Sequence, residues 1–238
     1  MALAIAALLA LSVPAAAQEV TIDLGDGSSL SMRAVQLMVL ITVLSLVPGL
    51  AIMITCFPFM VTVLAILRQA IGLQQSPPNM LIVSLALFLT YFVMEPVFTE
   101  AWQTGIIPML DGESDVEAAF MHTLEPFRLF MVARIEPATF EALGALRPDQ
   151  ADAQLAPDAA LSLLVPSFLL SEIARAFEIG FLIFLPFLII DLVVAAILMS
   201  MGMMMVPPAI VSLPFKLSFF VVADGWTLIS GALVRGYF

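Results

Sequence analysis

The sequence predicts an all-α integral membrane protein, in which four long, kinked hydrophobic helical segments form two hairpin-like pairs around a small helical extramembrane region. Composition is the first observation behind this prediction: 62% of the residues are hydrophobic, 11% are charged, and mean hydropathy is +1.12. Soluble domains are closer to half apolar and a quarter charged. The second observation is that the apolar stretches reach the ~20 residues that a membrane helix needs. The third is that these stretches contain charged side chains, which normally face protein or water rather than lipid.

Charge and cysteine content exclude several classes of function. The net charge is −11, and residues 102–160 hold ten acidic side chains against three arginines. Nucleic acid is excluded as a partner, because no basic patch exists to neutralise phosphates. Cys56 is the only cysteine and His122 the only histidine, which excludes an internal disulfide and a Cys/His metal cluster. We therefore expect no metal ion and no other cofactor.

The first 17 residues, Met1–Ala17, have the pattern of a signal peptide. A short apolar core is followed by Pro14 and an Ala-Ala-Ala sequence, so cleavage is predicted between Ala17 and Gln18. No Lys or Arg precedes the core, which departs from the usual pattern, but the core is shorter than the ~20 residues of an uncleaved membrane anchor. Residues 18–33 are a polar lead-in. Cleavage would leave the mature N-terminus outside the cytoplasm.

Residues 34–101 are predicted to form the first helical membrane pair. The apolar segment Ala34–Leu67 is longer than one perpendicular span at ~1.5 Å per residue. We therefore expect kinks or breaks at Pro48-Gly49 and at Pro58. A turn rich in Gly, Ser and Pro then leads into the second apolar segment, Asn79–Ala101.

Residues 102–160 are the only sizeable hydrophilic part of the chain and are predicted to be an acidic extramembrane region. Val116–Arg134 and Thr139–Leu146 have helix-friendly composition, and prolines punctuate the sequence around them. The prediction is a small helical region that joins the two membrane pairs.

Residues 161–238 are predicted to form the second helical membrane pair, with a methionine-rich loop between its arms. The segment Leu161–Val206 is too long for one perpendicular span and contains Pro166 and Pro186. The segment Pro208–Val234 closes the chain.

The orientation follows from the signal peptide. If it is cleaved, four crossings put Arg68 and the methionine-rich loop on the cytoplasmic side of the inner membrane, and residues 102–160 in the periplasm. Arg68 agrees with the excess of basic residues on the cytoplasmic side of membrane proteins.

Six of the seven charged residues in the second pair are candidate functional residues: Glu172, Arg175, Glu178, Asp191, Lys216 and Asp224. The first three are spaced three apart, so on a helix Arg175 can bridge a carboxylate on the turn before and on the turn after. Such a triad still has a net charge of −1. Lys216 and Asp224 are two turns apart, too far to satisfy each other. We expect these charges to find partners on other helices or other subunits, as intramembrane ionisable residues usually do. Self-contained helix packing is the alternative.

Three consecutive methionines, Met203, Met204 and Met205, lie between Gly202 and a Pro-Pro stop. Methionine clusters are most often adaptable packing. Three long, flexible, uncharged side chains at one turn would also close an aperture if the turn were repeated around a ring. The sequence pattern suits a seal better than a ligand site.

Six stretches carry a specific resemblance to one family. They are residues 68–79 (RQAIGLQQSPPN), 164–168 (LVPSF), 171–187 (SEIARAFEIGFLIFLPF), 199–208 (MSMGMMMVPP), 213–216 (LPFK) and 224–226 (DGW). All six are similar to the FliP family of flagellar export proteins, the R-type component of type III secretion export gates. The resemblance covers nearly all of the predicted mature chain.

The resemblance implies a function as a channel-forming subunit of the flagellar protein export gate, in the inner membrane at the flagellar basal body. FliP-like chains assemble as a pentamer with one FliR-like and four FliQ-like subunits, next to other export-gate membrane proteins. Unfolded flagellar subunits leave the cytoplasm through this assembly. The family's methionine loop forms a gasket, which corresponds here to Met203, Met204 and Met205. The resemblance implies no catalysis.

Two alternatives remain open at this stage. The nearest is the paralogue in the export gate of virulence injectisomes. The other, from a different class, is a small secondary transporter that uses Glu178 or Asp191 as a proton relay.

Overall fold

The structure is a computed structural model that describes residues 30–73, 77–151, 153–203 and 205–238. The predicted signal peptide, the cleavage site at Ala17 and Gln18, and most of the polar lead-in lie outside the described residues.

Every regular element in these ranges is helical, which confirms the predicted fold class. The α-helices are α1 (Leu30–Met53), α2 (Phe57–Ile71), α3 (Asn79–Ala101), α4 (Ile107–Leu110), α5 (Val116–Arg134), α6 (Pro137–Gly144), α7 (Leu161–Ser200), α8 (Pro208–Val222) and α9 (Gly225–Arg235). A π-helical turn, Trp102–Ile106, joins α3 to α4.

Within the described ranges, three helical stretches are long and apolar enough to cross a membrane: Val35–Met53, Asn79–Leu110 and Leu161–Ser200. Helices α8 and α9 taken together are also long and apolar enough to cross a membrane, but the chain bends by 62° at their junction. These helices support a membrane location for the chain. The expected kink in the final segment therefore lies between α8 and α9, and α8 itself continues through Pro214.

The first apolar segment breaks at one of its two proline sites. The expected break near Pro58 is present, since α1 ends at Met53 and α2 begins at Phe57 with Pro58 in its first turn. Proline suits that position because the first N–H groups of a helix have no intrahelical partner. No break occurs at Pro48-Gly49, because the backbone of α1 is helical through both positions, and the kink that was the other expectation there stays a prediction. Apolar helices tolerate an internal proline where local backbone adjustments satisfy the freed carbonyl.

Residues 47–238 form one compact unit, and α2 lies at its centre. Met60, Val63, Leu64 and Leu67 are fully buried and follow the helical period. Helix α2 packs closely against α7, since a Cβ atom at Gly180 would overlap the side chain of Ile66. The α2–α7 contact therefore depends on a residue with no side chain.

Helices α5 and α6 of the acidic region pack against the first half of α7. Their shared cluster contains six buried apolar residues: Met131, Ile135, Phe140, Leu163, Leu164 and Phe168. The side chain of Asp115 caps α5 by accepting from the N–H of Ala118 at 2.9 Å. The helix predicted at Val116–Arg134 is present with those bounds, and the second lies at Pro137–Gly144 rather than Thr139–Leu146. The extramembrane location of this region stays a prediction.

Candidate functional site: two ionic clusters and a methionine turn

The first ionic cluster surrounds Glu172, which lies on α7 and is fully buried. Arg134, in the last turn of α5, donates from Nε to Glu172 Oε1 at 3.1 Å. Arg175, one turn further along α7, is only 3.8 Å from the same oxygen and is one-third exposed. Arg134 is therefore the main counter-ion of the buried carboxylate. We call these residues, with Tyr237, the Glu172 cluster.

The C-terminal residues complete the Glu172 cluster. The Tyr237 hydroxyl donates to Glu172 Oε2, and the Arg134 guanidinium lies 4.0 Å from the centre of the Tyr237 ring. Arg134 also donates to the carbonyl of Gly236 at 2.8 Å. The C-terminal residues are thus held against α5 and α7 by a cation–π contact and two hydrogen bonds, one from Tyr237 to the Glu172 carboxylate and one from Arg134 to the Gly236 carbonyl.

The hydroxyl of Tyr237, which follows the last candidate span, remains a donor at every physiological pH. Burial raises the pKa of this phenol far above its ordinary value, and the negative charge of Glu172 raises it further. Both causes disfavour the phenolate. The contact is therefore a charge-assisted hydrogen bond from a neutral phenol to a carboxylate.

The predicted triad on α7 is only partly assembled. Glu172 and Arg175 lie together, as their spacing predicts, but Glu178 is exposed. Among the described residues, no basic group lies within ion-pair distance of Glu178. Arg175 does not bridge two carboxylates because its guanidinium points back towards Glu172.

The second ionic cluster joins α7, α8 and the end of α2. Lys216 Nζ lies 2.6 Å from Asp191 Oδ2 and donates to the carbonyl of Ala70 at 3.1 Å. The hydroxyl of Ser212 donates to the other carboxylate oxygen, Asp191 Oδ1, at 2.6 Å. The Lys216 side chain is buried, whereas that of Asp191 is one-third exposed. In this chain the two charges satisfy each other across helices. We call Asp191, Ser212 and Lys216 the hairpin clasp.

Gly72 ends α2 next to the clasp, and its backbone conformation rather than space is what requires glycine. It caps the helix with φ = +88°, a left-handed conformation that costs glycine little. A Cβ atom there would lie 3.9 Å from Lys216 Nζ and 3.7 Å from Leu213 Cδ1. The left-handed turn ends α2 close to the Ala70 carbonyl, which accepts from Lys216.

Asp224 belongs to neither ionic cluster. It sits at the bend between α8 and α9 with φ = +48° and is exposed. Its carboxylate accepts from the Thr227 hydroxyl at 3.1 Å, and the following Gly225 lies directly against the ring of Phe220. In this chain Asp224 therefore shapes a turn, because aspartate tolerates the left-handed region better than most residues.

The methionine turn, residues 201–205, follows α7 directly. Helix α7 ends in a Schellman motif: the N–H of Met203 donates to Leu198 O at 2.9 Å, and that of Gly202 to Met199 O at 3.1 Å. Gly202 takes the left-handed position, with φ = +73°. Met203 is 43% exposed and Met205 97% exposed. The third predicted residue, Met204, lies outside the described residues.

Sequence reasoning missed Arg134, Ser212 and Tyr237, which supply most of the hydrogen bonds in the two clusters. Arg134 is 38 residues from Glu172, and Tyr237 is 65 residues away, so no local spacing links them. The only available signal was an arginine in the last turn of the predicted helix Val116–Arg134. The described residues offer no candidate metal site, because they contain no group of three or more His, Cys, Asp or Glu side chains placed to hold an ion.

Comparisons with known proteins show what this sequence is similar to. The model of the family described as the FliP family matches residues 40–233. The chain is 49% identical to "Flagellar biosynthetic protein FliP" of Caulobacter vibrioides, over 98% of this chain and 88% of that protein. It is 46% identical to the protein of the same name from Rhizobium meliloti, over 98% and 97% of the two chains. For the Bacillus subtilis protein of that name the identity is 42%, over 85% and 91%.

Proposed function

Because this chain belongs to the FliP family, as the match over residues 40–233 and the 49% identity to a relative show, we propose that it is a channel-forming subunit of the flagellar protein export gate. The family assignment makes it a membrane component of flagellar biosynthesis. The proposal adds that several copies surround a path for unfolded flagellar proteins. In the proposed assembly, five copies combine with one FliR-like and four FliQ-like subunits.

The exposed methionine turn is the observation that carries the proposal. Met205 is 97% exposed at the tip of a hairpin between two long apolar helices. A large apolar side chain in that position loses the free energy of burial unless another surface covers it. A ring of such turns would bury these methionines against one another at the centre of the assembly. Their uncharged, flexible side chains would then exclude a continuous column of water.

The ionic clusters have a supporting role in this proposal. Within the Glu172 cluster, Arg134 and Tyr237 bind the buried carboxylate inside one chain and fix the helix from which the hairpin extends. Glu178 and Arg175, which are exposed or partly exposed on α7, are the charges that we assign to contacts with neighbouring subunits. Asp224 is assigned to the α8–α9 bend, and the chain is proposed to be inserted with residues 102–160 in the periplasm.

The proposed seal is tested by replacing Met203, Met204 and Met205 together with alanine. The substitution removes apolar bulk without changing charge, so we expect assembled complexes to remain and to leak small ions. Conductance of cells or liposomes is measured at matched amounts of complex. The matched control replaces Ile197 and Met199, which are exposed in the last turn of α7 and lie outside the methionine turn, with alanine; it should leave conductance unchanged. A triple variant with normal conductance but less complex would show that the three methionines only pack.

The two alternatives gain no specific support. The relatives quoted above are named for flagellar biosynthesis, which favours the flagellar gate over the injectisome paralogue. A proton relay would use Glu178 or Asp191. Asp191 is held by Lys216 and Ser212, an arrangement that suits a fixed structural contact, and Glu178 is the exposed charge assigned above to a neighbouring subunit.

A further inference from the structure

We propose that the hairpin clasp positions the methionine turn, by fixing the α7–α8 hairpin in one register against the end of α2. This inference rests on the proposed function of the turn, since it explains how a seal at the tip of a long hairpin is held in place. Lys216 and Asp191 are thus positioning residues that act through the backbone of the two arms.

Asp191 and Lys216 lie at nearly equal distances from the methionine turn along the two arms of the hairpin. Nine residue steps separate Asp191 from Ser200 at the end of α7, and eight separate Pro208 from Lys216 on α8. At ~1.5 Å per residue these arm lengths are about 13 Å and about 12 Å. A contact at equal distance from the turn on both arms sets how far one arm slides past the other. The position of the turn depends directly on that register.

Beyond the clasp the hairpin has little else to hold it. In the described residues between Asp191 and Ser212, only Val194 and Leu198 are buried. The side-chain hydrogen bonds described there are local, such as that from the Ser200 hydroxyl to Ile197 O at 2.7 Å. On the other side of the clasp, Phe187 packs edge-on against Phe219 with ring centres 5.8 Å apart. The clasp is therefore the outermost polar contact between the arms in the described part of the hairpin.

The third contact of the clasp connects the hairpin to the rigid core. Lys216 donates to Ala70 O, one of the last carbonyls of α2, which have no partner within their own helix. A positive charge is favourable there because the helix dipole places partial negative charge at its C-terminus. Val63, Leu64 and Leu67 of that helix are fully buried. Lys216 thus connects the hairpin to α2, a buried core helix of the kind that opens least often in a folded protein.

An ion pair at this position is better explained by its effect on the register of the hairpin than by its contribution to the free energy of folding. Replacing a buried ion pair with apolar residues of similar size is often neutral or stabilising, whereas removing one partner is strongly destabilising. The hydrogen bonds of Lys216 and Asp191 have fixed directions: those of Lys216 reach α7 and α2, and those of Asp191 reach α8. An apolar pair would preserve the packing of the hairpin and allow its arms to slide. Stability and register are therefore separable by mutation.

The test is the double variant Asp191→Leu with Lys216→Met, which removes the clasp and leaves no unpaired charge. Spin labels on cysteines at Ala65 and Met205, both exposed, report the distance from α2 to the turn. The labels are placed in a Cys56→Ala background, and labelled chains are diluted with unlabelled chains in the assembled complex. We expect a narrow distance distribution with the clasp intact and a broader or shifted one in the double variant. An unchanged distribution would overturn the proposal.

Two further variants complete the test. Ser212→Ala removes one hydrogen bond to Asp191 but keeps the ion pair, so an intermediate broadening is expected even if the double variant assembles poorly. The matched control, Leu192→Ala with Phe215→Ala, truncates the exposed neighbours of the clasp residues and should leave the distribution narrow. Equal broadening in this control would overturn the role of the clasp. If the distribution broadens but the triple methionine variant does not leak, the clasp stands and the proposed seal fails.

Discussion

The two halves of α7 lie in different environments, although both are apolar and both contain a carboxylate with a basic partner. Nine of the eleven buried residues of this helix lie between Leu163 and Phe187, and two, Val194 and Leu198, lie beyond. In the first half Glu172 is sealed from solvent and bound by side chains from α5 and the C-terminus. In the second half Asp191 is one-third exposed. The first half belongs to the core, and the second projects from it as one arm of a hairpin.

Because the two environments differ, removing a charge should have a different consequence in each half of α7. A fully buried carboxylate cannot lose its counter-ion without a large cost, because solvent is absent to replace it. A partly exposed carboxylate recovers some hydration when its partner is removed. Substitutions in the Glu172 cluster should therefore act on folding, whereas those in the hairpin should act on the placement of the turn and on assembly.

The largest expected effect is that of Arg134→Met, which leaves Glu172 buried with its second counter-ion 3.8 Å away. We expect a loss of about 3–5 kcal/mol in the free energy of unfolding, the usual cost of breaking a buried ion pair. The measurement is an unfolding titration with SDS in mixed micelles, together with the yield of inserted protein.

Arg175→Met is the matched comparison for Arg134→Met. From the sequence alone Arg175 is the partner of Glu172, and its removal would be the more damaging change. The geometry assigns that role to Arg134, so Arg175→Met should cost clearly less than Arg134→Met in the same titration. Equal losses for the two variants would contradict the assignment of Arg134 as the main counter-ion.

The next effect is that of Tyr237→Phe, which removes the hydrogen bond to Glu172 and keeps the ring beneath Arg134. A hydrogen bond to a charged group is worth about 1.5–3 kcal/mol, and we expect a loss in that range. The measurement is the same titration. A variant that truncates Phe238, exposed at the chain end, to alanine should be neutral. If Tyr237→Phe is equally neutral, the C-terminal residues do not hold the fold.

These contacts show what local sequence pattern can and cannot predict. The helix Asn79–Ala101, the break near Pro58 and the pairing of Glu172 with Arg175 all follow from the spacing of neighbouring residues. The contact of Tyr237 with Glu172 joins residues 65 positions apart and depends on how α5, α7 and α9 pack. Because packing decides which of several charges meet, the sequence predicted that partners exist and not which residues they are. The Asp191–Lys216 pair is the same case.

A smaller effect is expected at the other end of α7, from Gly202→Ala. The alanine must adopt φ near +73° or break the Schellman motif, and a left-handed residue with a Cβ costs about 1–2 kcal/mol. Because the turn lies outside the core, we expect that strain to reshape the turn locally and to leave global unfolding nearly unchanged. Hydrogen exchange at the amides of Gly202 and Met203 measures the local change. A fall in global stability as large as that of Tyr237→Phe would place the turn within the cooperative core.

The smallest effect on folding is expected for Glu178→Gln. Glu178 is exposed on α7 and, in the described part of the chain, has no ion-pair partner. Exposed substitutions of this kind usually stay within about 0.5 kcal/mol, so the SDS titration should not distinguish this variant from the parent chain. The same substitution removes a charge that we assign to a neighbouring subunit, and truncating a charge that becomes buried at an interface costs much more than one left in solvent. Complex formation on native gels should therefore fall while the stability of the single chain is kept. Normal assembly would show that this charge stays in solvent in the complex.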